Sequence, residues 1–201
     1  MSPPPNDASD AQYAERLLRL QGVWWKRLLD VQRPYRWNLS RLQPGFTLDI
    51  GCGVGRNLKN LSGNGVGIDT NEFAVKIARS RGYTAFTPSA FYESEYKRPG
   101  AFDSLLLSHV LEHVSSEEAS NLVRQYIEFV RPGGQLIIET PQELGFRSDP
   151  SHETFTDFDA IEGLCNDWDV TVERRFSFPL PRVFGHVFVY NEFVVIARLR
   201  G

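Results

Sequence analysis

The sequence contains few cysteines: Cys52 and Cys165 are the two in 201 residues. Two thiols cannot supply a disulfide framework, and the residues around them do not form a zinc motif. No apolar run approaches the roughly 18 residues that a membrane-spanning helix requires. The first residues also lack the basic-then-apolar order of a secretory signal. These absences predict a cytoplasmic protein with no metal site and no membrane partner.

Charge is low overall but concentrated in one segment. The net charge of −3 disfavours a protein that coats nucleic acid. Residues 16–41 nevertheless hold seven basic side chains, one acid and three of the four tryptophans. We predict a disordered leader at 1–9 and a helical lid at 10–44 that favours an anionic acceptor. The alternative is a solvated cationic face whose apolar stripe packs on the core.

From residue 45 onward, short apolar runs alternate with helical patterns, as in βα units that build a parallel sheet. This alternation predicts one α/β domain over residues 45–201. Asn71, Ser115 and Thr156 are the predicted caps of three of its helices. Strands are predicted at 46–50, 65–69, 84–87, 102–108 and 135–140, followed by an antiparallel hairpin at 169–178 and 187–199.

The strongest local signal is a strand that turns through three alternate glycines, Gly51, Gly53 and Gly55, into a helix. Glycines let the backbone turn tightly and approach a ligand closely. Dinucleotide sites more often have the spacing G-x-G-x-x-G. The carboxylate of Asp49 beside this loop would repel a pyrophosphate but suits a ligand with an ammonium and a sulfonium group. The alternative is a structural turn without a ligand.

A second acid, Asp69, stands at the end of the second predicted strand, 20 residues after Asp49. An aspartate at this position can accept both hydroxyls of a ribose. The alternative is that Asp69 helps to cap the following helix.

Five motifs span roughly residues 46–141: Asp49-Ile-Gly-Cys-Gly-Val-Gly55, Gly67-Ile-Asp69, Phe102-Asp103, Ser108-His-Val-Leu-Glu-His-Val114 and Arg131-Pro-Gly-Gly134. Taken together, these motifs resemble class I S-adenosylmethionine (SAM)-dependent methyltransferases, of the methyltransferase type 11/12-like group. The resemblance implies a Rossmann-like seven-stranded sheet in the order 3214576, with strand 7 antiparallel and helices on both faces. It also implies SAM as cofactor and S-adenosylhomocysteine as product.

The resemblance also assigns individual residues. The three glycines would pass under the methionine moiety, Asp49 would orient that end, and Asp69 would hold the ribose. Many relatives carry an aspartate for adenine after the third strand, whereas this chain has Ser89 nearby. The complete predicted cofactor set is Asp49, Gly51, Cys52, Gly53, Gly55, Asp69, Thr70, Ser89, Ser108 and His109.

On the acceptor side, the predicted catalytic residues are His109 and His152. His109 follows the fourth strand and contacts cofactor or acceptor, or else packs at the strand end. His152 follows the fifth strand and acts as a base, or else fixes its loop. Glu112 and His113 are assigned to the turn and the next helix.

Two further segments are candidates for the acceptor side. The aromatic loop at 176–185 would wall the acceptor pocket, with Arg182 as an anion contact, or close the sheet end as a hydrophobic clasp. Residues 190–192 would reach the same cleft, or form an ordinary turn into the last strand.

The sequence therefore predicts methyl transfer from SAM to an unidentified small molecule, with an anionic acceptor among those it fits. A non-catalytic SAM-binding regulatory subunit of the same fold is the alternative. A nicotinamide-dependent oxidoreductase is disfavoured by the glycine spacing and by Asp49.

Overall fold

The computed structural model describes residues 32–200, so the predicted leader and most of the predicted lid lie outside the described residues. Helix α1, Arg33–Arg41, is the first element and carries Pro34 in its first turn. Proline is tolerated there because the first amides of a helix have no partner within it. Pro34 therefore begins a helix in the described part of the chain.

Seven strands are found in residues 32–200, and they form one sheet in the order β3-β2-β1-β4-β5-β7-β6. This order confirms the predicted topology. The strands are β1 Thr47–Ile50, β2 Gly65–Ile68, β3 Ala85–Phe86, β4 Phe102–Ser108, β5 Val130–Pro141, β6 Val170–Phe178 and β7 Glu192–Leu199.

The chain divides into two compact units, of which the first includes residues 51–94 and α1. Its strands β2 and β3 pair in parallel. Helices α2, Arg56–Asn60, and α3, Glu72–Ser80, pack against these strands, and α4, Pro88–Tyr92, follows β3. The apolar core here comprises Cys52, Leu58, Val75, Ala78 and Ala85.

The second unit contains residues 44–50 and the chain from 95 onward. Strands β1, β4 and β5 pair in parallel, whereas β7 runs antiparallel between β5 and β6. Ser108 at the end of β4 lies opposite Glu139, and Glu192 at the start of β7 lies opposite Pro141. The carboxyl ends of β4 and β5 and the amino end of β7 therefore meet at one sheet edge.

Two strands of the second unit depart from a regular ladder. Phe102 pairs with Val130 and Ser104 with Gln135, so residues 131–134 are looped out of register. A second irregularity interrupts β6 between Val172 and Arg174. Strand β7 begins five residues later than predicted, because residues 187–191 form turns, with the Asn191 amide donating to the Phe188 carbonyl.

Helix α5, Ser116–Tyr126, has the predicted capping box. The Ser115 hydroxyl accepts from the amide of Glu118, whose carboxylate accepts from the amide of Ser115. Asn71 caps α3 by accepting from the amide of Ala74, also as predicted. After a short helix α6, Glu143–Arg147, the last helix is α7, Phe158–Asp167.

The predicted cap of α7 is wrong by one residue. Asp157, not Thr156, is the N-cap, and its carboxylate accepts from the amide of Ala160 at 3.0 Å. The Thr156 hydroxyl instead donates to the carbonyl of Thr154. Within residues 32–200, no helix has the length and apolar character needed to cross a membrane.

Candidate active site

The glycine loop is built from backbone conformations that favour glycine. Gly51, Gly53 and Gly55 have φ of 71°, 53° and 83°, in the left-handed region. The amides of Gly51 and Cys52 both donate to the carbonyl of Ile68, at 2.8 and 3.1 Å. The loop is thereby tied to the end of β2 by main-chain hydrogen bonds.

Asp69 continues this link with its side chain. Its Oδ2 accepts from the amide of Gly53 at 2.7 Å, and its Oδ1 accepts from the amide of Asn71 at 2.8 Å. Burial raises the pKa of Asp69, while the two amide hydrogen bonds oppose that rise. An ionised carboxylate has about four lone-pair positions. Two positions therefore remain for the hydroxyls of a ribose, so the carboxylate fits the predicted ligand.

Four other predicted cofactor residues differ in how far their side chains are exposed. The Cys52 side chain is buried in the apolar core, so its main chain is the part that could meet a ligand. Thr70 and Ser89 are exposed, and the Ser89 hydroxyl lies 3.3 Å from that of Thr87. Asp49, the last polar residue of β1 in the second unit, is completely buried. The role of each in cofactor binding stays a prediction.

In the second unit, the end of β4 is held against β5 by polar contacts. The Ser108 hydroxyl donates to Glu139 Oε2 at 2.8 Å, and the His109 amide donates to the Glu139 carbonyl at 2.9 Å. His109 has a φ of 58°. A non-glycine residue in this region costs about 1–2 kcal/mol and is often found at functional sites.

The imidazole of His109 bridges two buried carboxylates. Its Nδ1 lies 3.1 Å from Glu112 Oε1 and its Nε2 lies 2.8 Å from Glu192 Oε1. Burial lowers the pKa of His109, but the hydrogen bonds and charges of the two glutamates outweigh it and raise that pKa to about 10. His109 is therefore an imidazolium at neutral pH, which makes it a proton donor and a cation rather than a base.

His152 and His113 join this group from two different segments. His152 Nδ1 lies 2.8 Å from the Phe146 carbonyl, and its Nε2 faces Glu112 Oε1 at 4.0 Å. His113 and His152 have ring centroids 4.8 Å apart. Glu112 and His113 lie in a 3₁₀ turn, as the sequence indicated, yet they belong to the same cluster as the predicted catalytic histidines.

The Arg182 side chain, predicted to contact an anion, is bound by groups of the protein itself. Its guanidinium forms two hydrogen bonds with the Glu143 carboxylate, one of 2.8 Å, and lies over the Phe193 ring. Asn191 donates to the side chain of Gln142, which donates in turn to the Glu192 carbonyl. The polar residues after the aromatic loop therefore fix the start of β7.

Sequence reasoning missed Glu139 and Gln142, and it did not connect Glu192 with His109. Glu139 and Gln142 lie at the end of β5, where a parallel sheet places ligand-facing groups. Their position at this edge of the sheet is the feature from which the sequence could have predicted them. The pairing of His109 with a residue 83 positions away has no local signature.

Comparisons with known proteins identify the family. The model of a methyltransferase domain matches residues 26–193. The chain belongs to this methyltransferase family. A SAM-dependent methyltransferase from Archaeoglobus fulgidus shares the fold, with a TM-score of 0.62 at 18% identity, over 88% of this chain and 98% of that one. The fold is therefore that of the class I SAM-dependent methyltransferases, as the sequence motifs predicted.

Two curated methyltransferases resemble parts of the domain. A ubiquinone biosynthesis O-methyltransferase from Chromobacterium violaceum is 31% identical over 143 residues, or 63% of this chain and 61% of that protein. A probable tRNA methyltransferase 9B from Homo sapiens is 32% identical over 122 residues, or 59% of this chain and 25% of that protein. The chain thus spans less than two thirds of either relative.

Proposed function

We propose that this methyltransferase domain transfers the methyl group of SAM to a small molecule. When bound, SAM supplies a methyl group activated by its positive sulfur. The residues of the chain then have to bind the two reactants, orient them and exclude water. Positioning of the reactants alone can lower the barrier to methyl transfer by about 7–11 kcal/mol. The observation that carries the proposal is the Asp69 carboxylate held against the glycine loop.

On the cofactor side, Asp69 would accept hydrogen bonds from the ribose, and the glycine loop would pass under the methionine end. Asp49, Cys52, Thr70, Ser89, Ser108 and His109 complete the proposed contacts. The fixed orientation of the carboxylate supports this role, because its two amide hydrogen bonds prevent it from rotating away.

On the acceptor side, His109 is more accessible than the two carboxylates that it bridges. Its side chain is 29% exposed, whereas those of Glu112 and Glu192 are 0% and 8% exposed. Both of its N–H groups already donate to these carboxylates, so we propose that the exposed edge of the ring contacts the acceptor. His152 is 9% exposed and faces Glu112, so we assign it to orienting the cluster rather than to proton abstraction.

The cofactor assignment is tested by calorimetry with S-adenosylhomocysteine and with its analogue lacking one ribose hydroxyl. The wild type should prefer the natural ligand by about 10- to 100-fold, because a hydrogen bond to a charged group contributes about 1.5–3 kcal/mol. Asp69→Ala should lose that preference, and Asp159→Asn, at an exposed acid, should keep it. Equal binding of both ligands by the wild type would refute the ribose role.

A turnover assay separates an enzyme from a regulatory subunit. Release of S-adenosylhomocysteine is measured with a panel of small phenols, carboxylic acids, amines and unmodified tRNA. His109→Asn should lower turnover at least 100-fold, and its affinity for S-adenosylhomocysteine measures how much of that loss comes from the proposed cofactor contact. Tight cofactor binding with no turnover on any acceptor would favour the regulatory subunit.

A further inference from the structure

Three of the four histidines of this chain participate in contacts around one buried carboxylate, and one of them, His109, is already bonded to it. The other two, His113 and His152, each offer a ring nitrogen there. Glu112, His113 and His152 each offer one possible ligand atom, and these three atoms lie within 4.8 Å of one another. Two imidazoles and one carboxylate form the ligand set of many divalent transition-metal sites.

The backbone contacts of the two histidines determine which nitrogen is available. His152 Nδ1 is 2.8 Å from the Phe146 carbonyl and His113 Nδ1 is 3.1 Å from the Ser151 carbonyl. A carbonyl only accepts, so each Nδ1 must carry the proton and donate. In the neutral imidazole, Nε2 is then left with its lone pair. Metal-binding histidines are oriented in this way by a second hydrogen bond.

Glu112 supplies an independent indication that something is bound here. Its side chain is completely buried, and among residues 32–200 its Oε2 has no hydrogen-bond partner. A buried carboxylate oxygen without a donor costs free energy of folding. His152 Nε2, which cannot donate when its Nδ1 carries the proton, lies 4.0 Å from Oε1 of the same carboxylate. A cation beside this carboxylate would relieve that arrangement.

The main chain holds the two segments together. The amides of Glu153 and Thr154 both donate to the Glu112 carbonyl, at 2.8 and 3.1 Å. The loop carrying His152 is thus fixed to the turn carrying Glu112 and His113 independently of the side chains. Two ligands of one tetrahedral ion are about 3.4 Å apart at bond lengths near 2.1 Å. The 4.0 Å between Glu112 Oε1 and His152 Nε2 must therefore close by roughly 0.6 Å, and the widest separation of 4.8 Å by roughly 1.4 Å.

We infer that Glu112, His113 and His152 bind one divalent transition-metal ion of the Zn²⁺, Co²⁺ or Mn²⁺ class, leaving coordination positions open. Imidazole nitrogen favours these ions over Mg²⁺ and Ca²⁺, which prefer oxygen ligands. The ion would neutralise the Glu112 carboxylate and tie the loop at 149–154 to the 3₁₀ turn. This inference concerns metal binding alone, so it stands or falls separately from methyl transfer.

The test uses the full chain, dialysed against a chelator and titrated with Co²⁺, followed by visible absorption and calorimetry. One equivalent should bind and give the absorption bands of a low-symmetry nitrogen and oxygen site, and Zn²⁺ should displace it. His113→Ala and His152→Ala should each weaken binding at least 100-fold, and Glu112→Gln should do the same. His186→Ala removes the remaining histidine and should leave the affinity unchanged.

Circular dichroism of each metal-free variant checks that the fold is retained. His113 is exposed, so His113→Ala tests the site even if Glu112→Gln or His152→Ala fails to fold. Absence of saturable Co²⁺ binding would overturn the inference. Binding that survives His113→Ala, or that is lost with His186→Ala, would overturn it equally. Tighter binding of Mg²⁺ than of Zn²⁺ would exclude imidazole ligation.

Discussion

The two compact units of the chain position their polar groups in different ways. In the first, the glycine loop is fixed by main-chain amides that donate to the Ile68 carbonyl and to a single carboxylate, Asp69. In the second, the groups around His109 are fixed by other ionisable side chains, chiefly Glu112 and Glu192.

This difference has consequences for mutation and for pH. A loop held by backbone hydrogen bonds depends on glycine geometry and on close packing, and it depends little on protonation. A cluster of buried charges depends on each partner remaining present and ionised, because an unpaired buried charge is costly. The first unit should therefore respond to added volume and the second to removed charge.

Removing His109 should produce the largest loss of stability. We expect His109→Asn to lower the free energy of unfolding by roughly 2–4 kcal/mol at pH 7, because two buried carboxylates lose the ring that joins them. Asparagine tolerates the positive φ of this position, so the backbone is not the cause. Urea denaturation in the presence of a chelator measures the change. The control His186→Asn, at an exposed side chain, should differ from wild type by less than about 0.5 kcal/mol; equal values for both would contradict the charge argument.

The next largest loss of stability should come from adding side-chain volume in the first unit. A Cβ on Gly67 would lie 2.6 Å from Cys52 Sγ and 2.7 Å from Cys52 Cβ. Gly67→Ala should therefore cost about 1–3 kcal/mol through overpacking. Gly163, in helix α7, has nothing within 4 Å of its Cβ position. Gly163→Ala should instead stabilise by about 0.5–1 kcal/mol, and thermal denaturation that ranks the two variants in the reverse order would break the comparison.

A pH effect of smaller size should come from Glu143 and Arg182. Burial raises the pKa of Glu143, but the hydrogen bonds and charge of Arg182 lower it below its usual 4.5 overall. Its contribution is thus present above pH 4.5 and is lost as the pH falls through the lower folded value. Arg182→Ala should cost about 0.5–1 kcal/mol at pH 7 and should flatten the loss of stability between pH 5 and pH 3. Arg175→Ala, which removes the exposed ion pairs with Asp159 and Glu162, is the control and should not flatten that loss; a slope that steepens in Arg182→Ala would disprove the assignment.

The same contrast explains how much the sequence could predict. The strand order followed from the family resemblance, and the positions of Gly51, Gly53, Gly55 and Asp69 could be predicted because glycine spacing is local. The junction of His109 with Glu192 was not predicted, because it depends on where β7 begins and on its register against β5, and neither has a local signature. The Asp157 cap was missed for another reason: Thr156 and Asp157 are both good caps, and only geometry distinguishes adjacent candidates.

The edges of the sheet bear on how the protein behaves at high concentration. Within residues 32–200, the edge strands are β3, which has two residues, and β6, which is interrupted after Val172 and carries Arg174 and Arg175. A short edge, a bulge and charged side chains each prevent a neighbouring molecule from adding its own strand to the ladder. Through these features the sheet discourages fibrillar self-association at both of its edges.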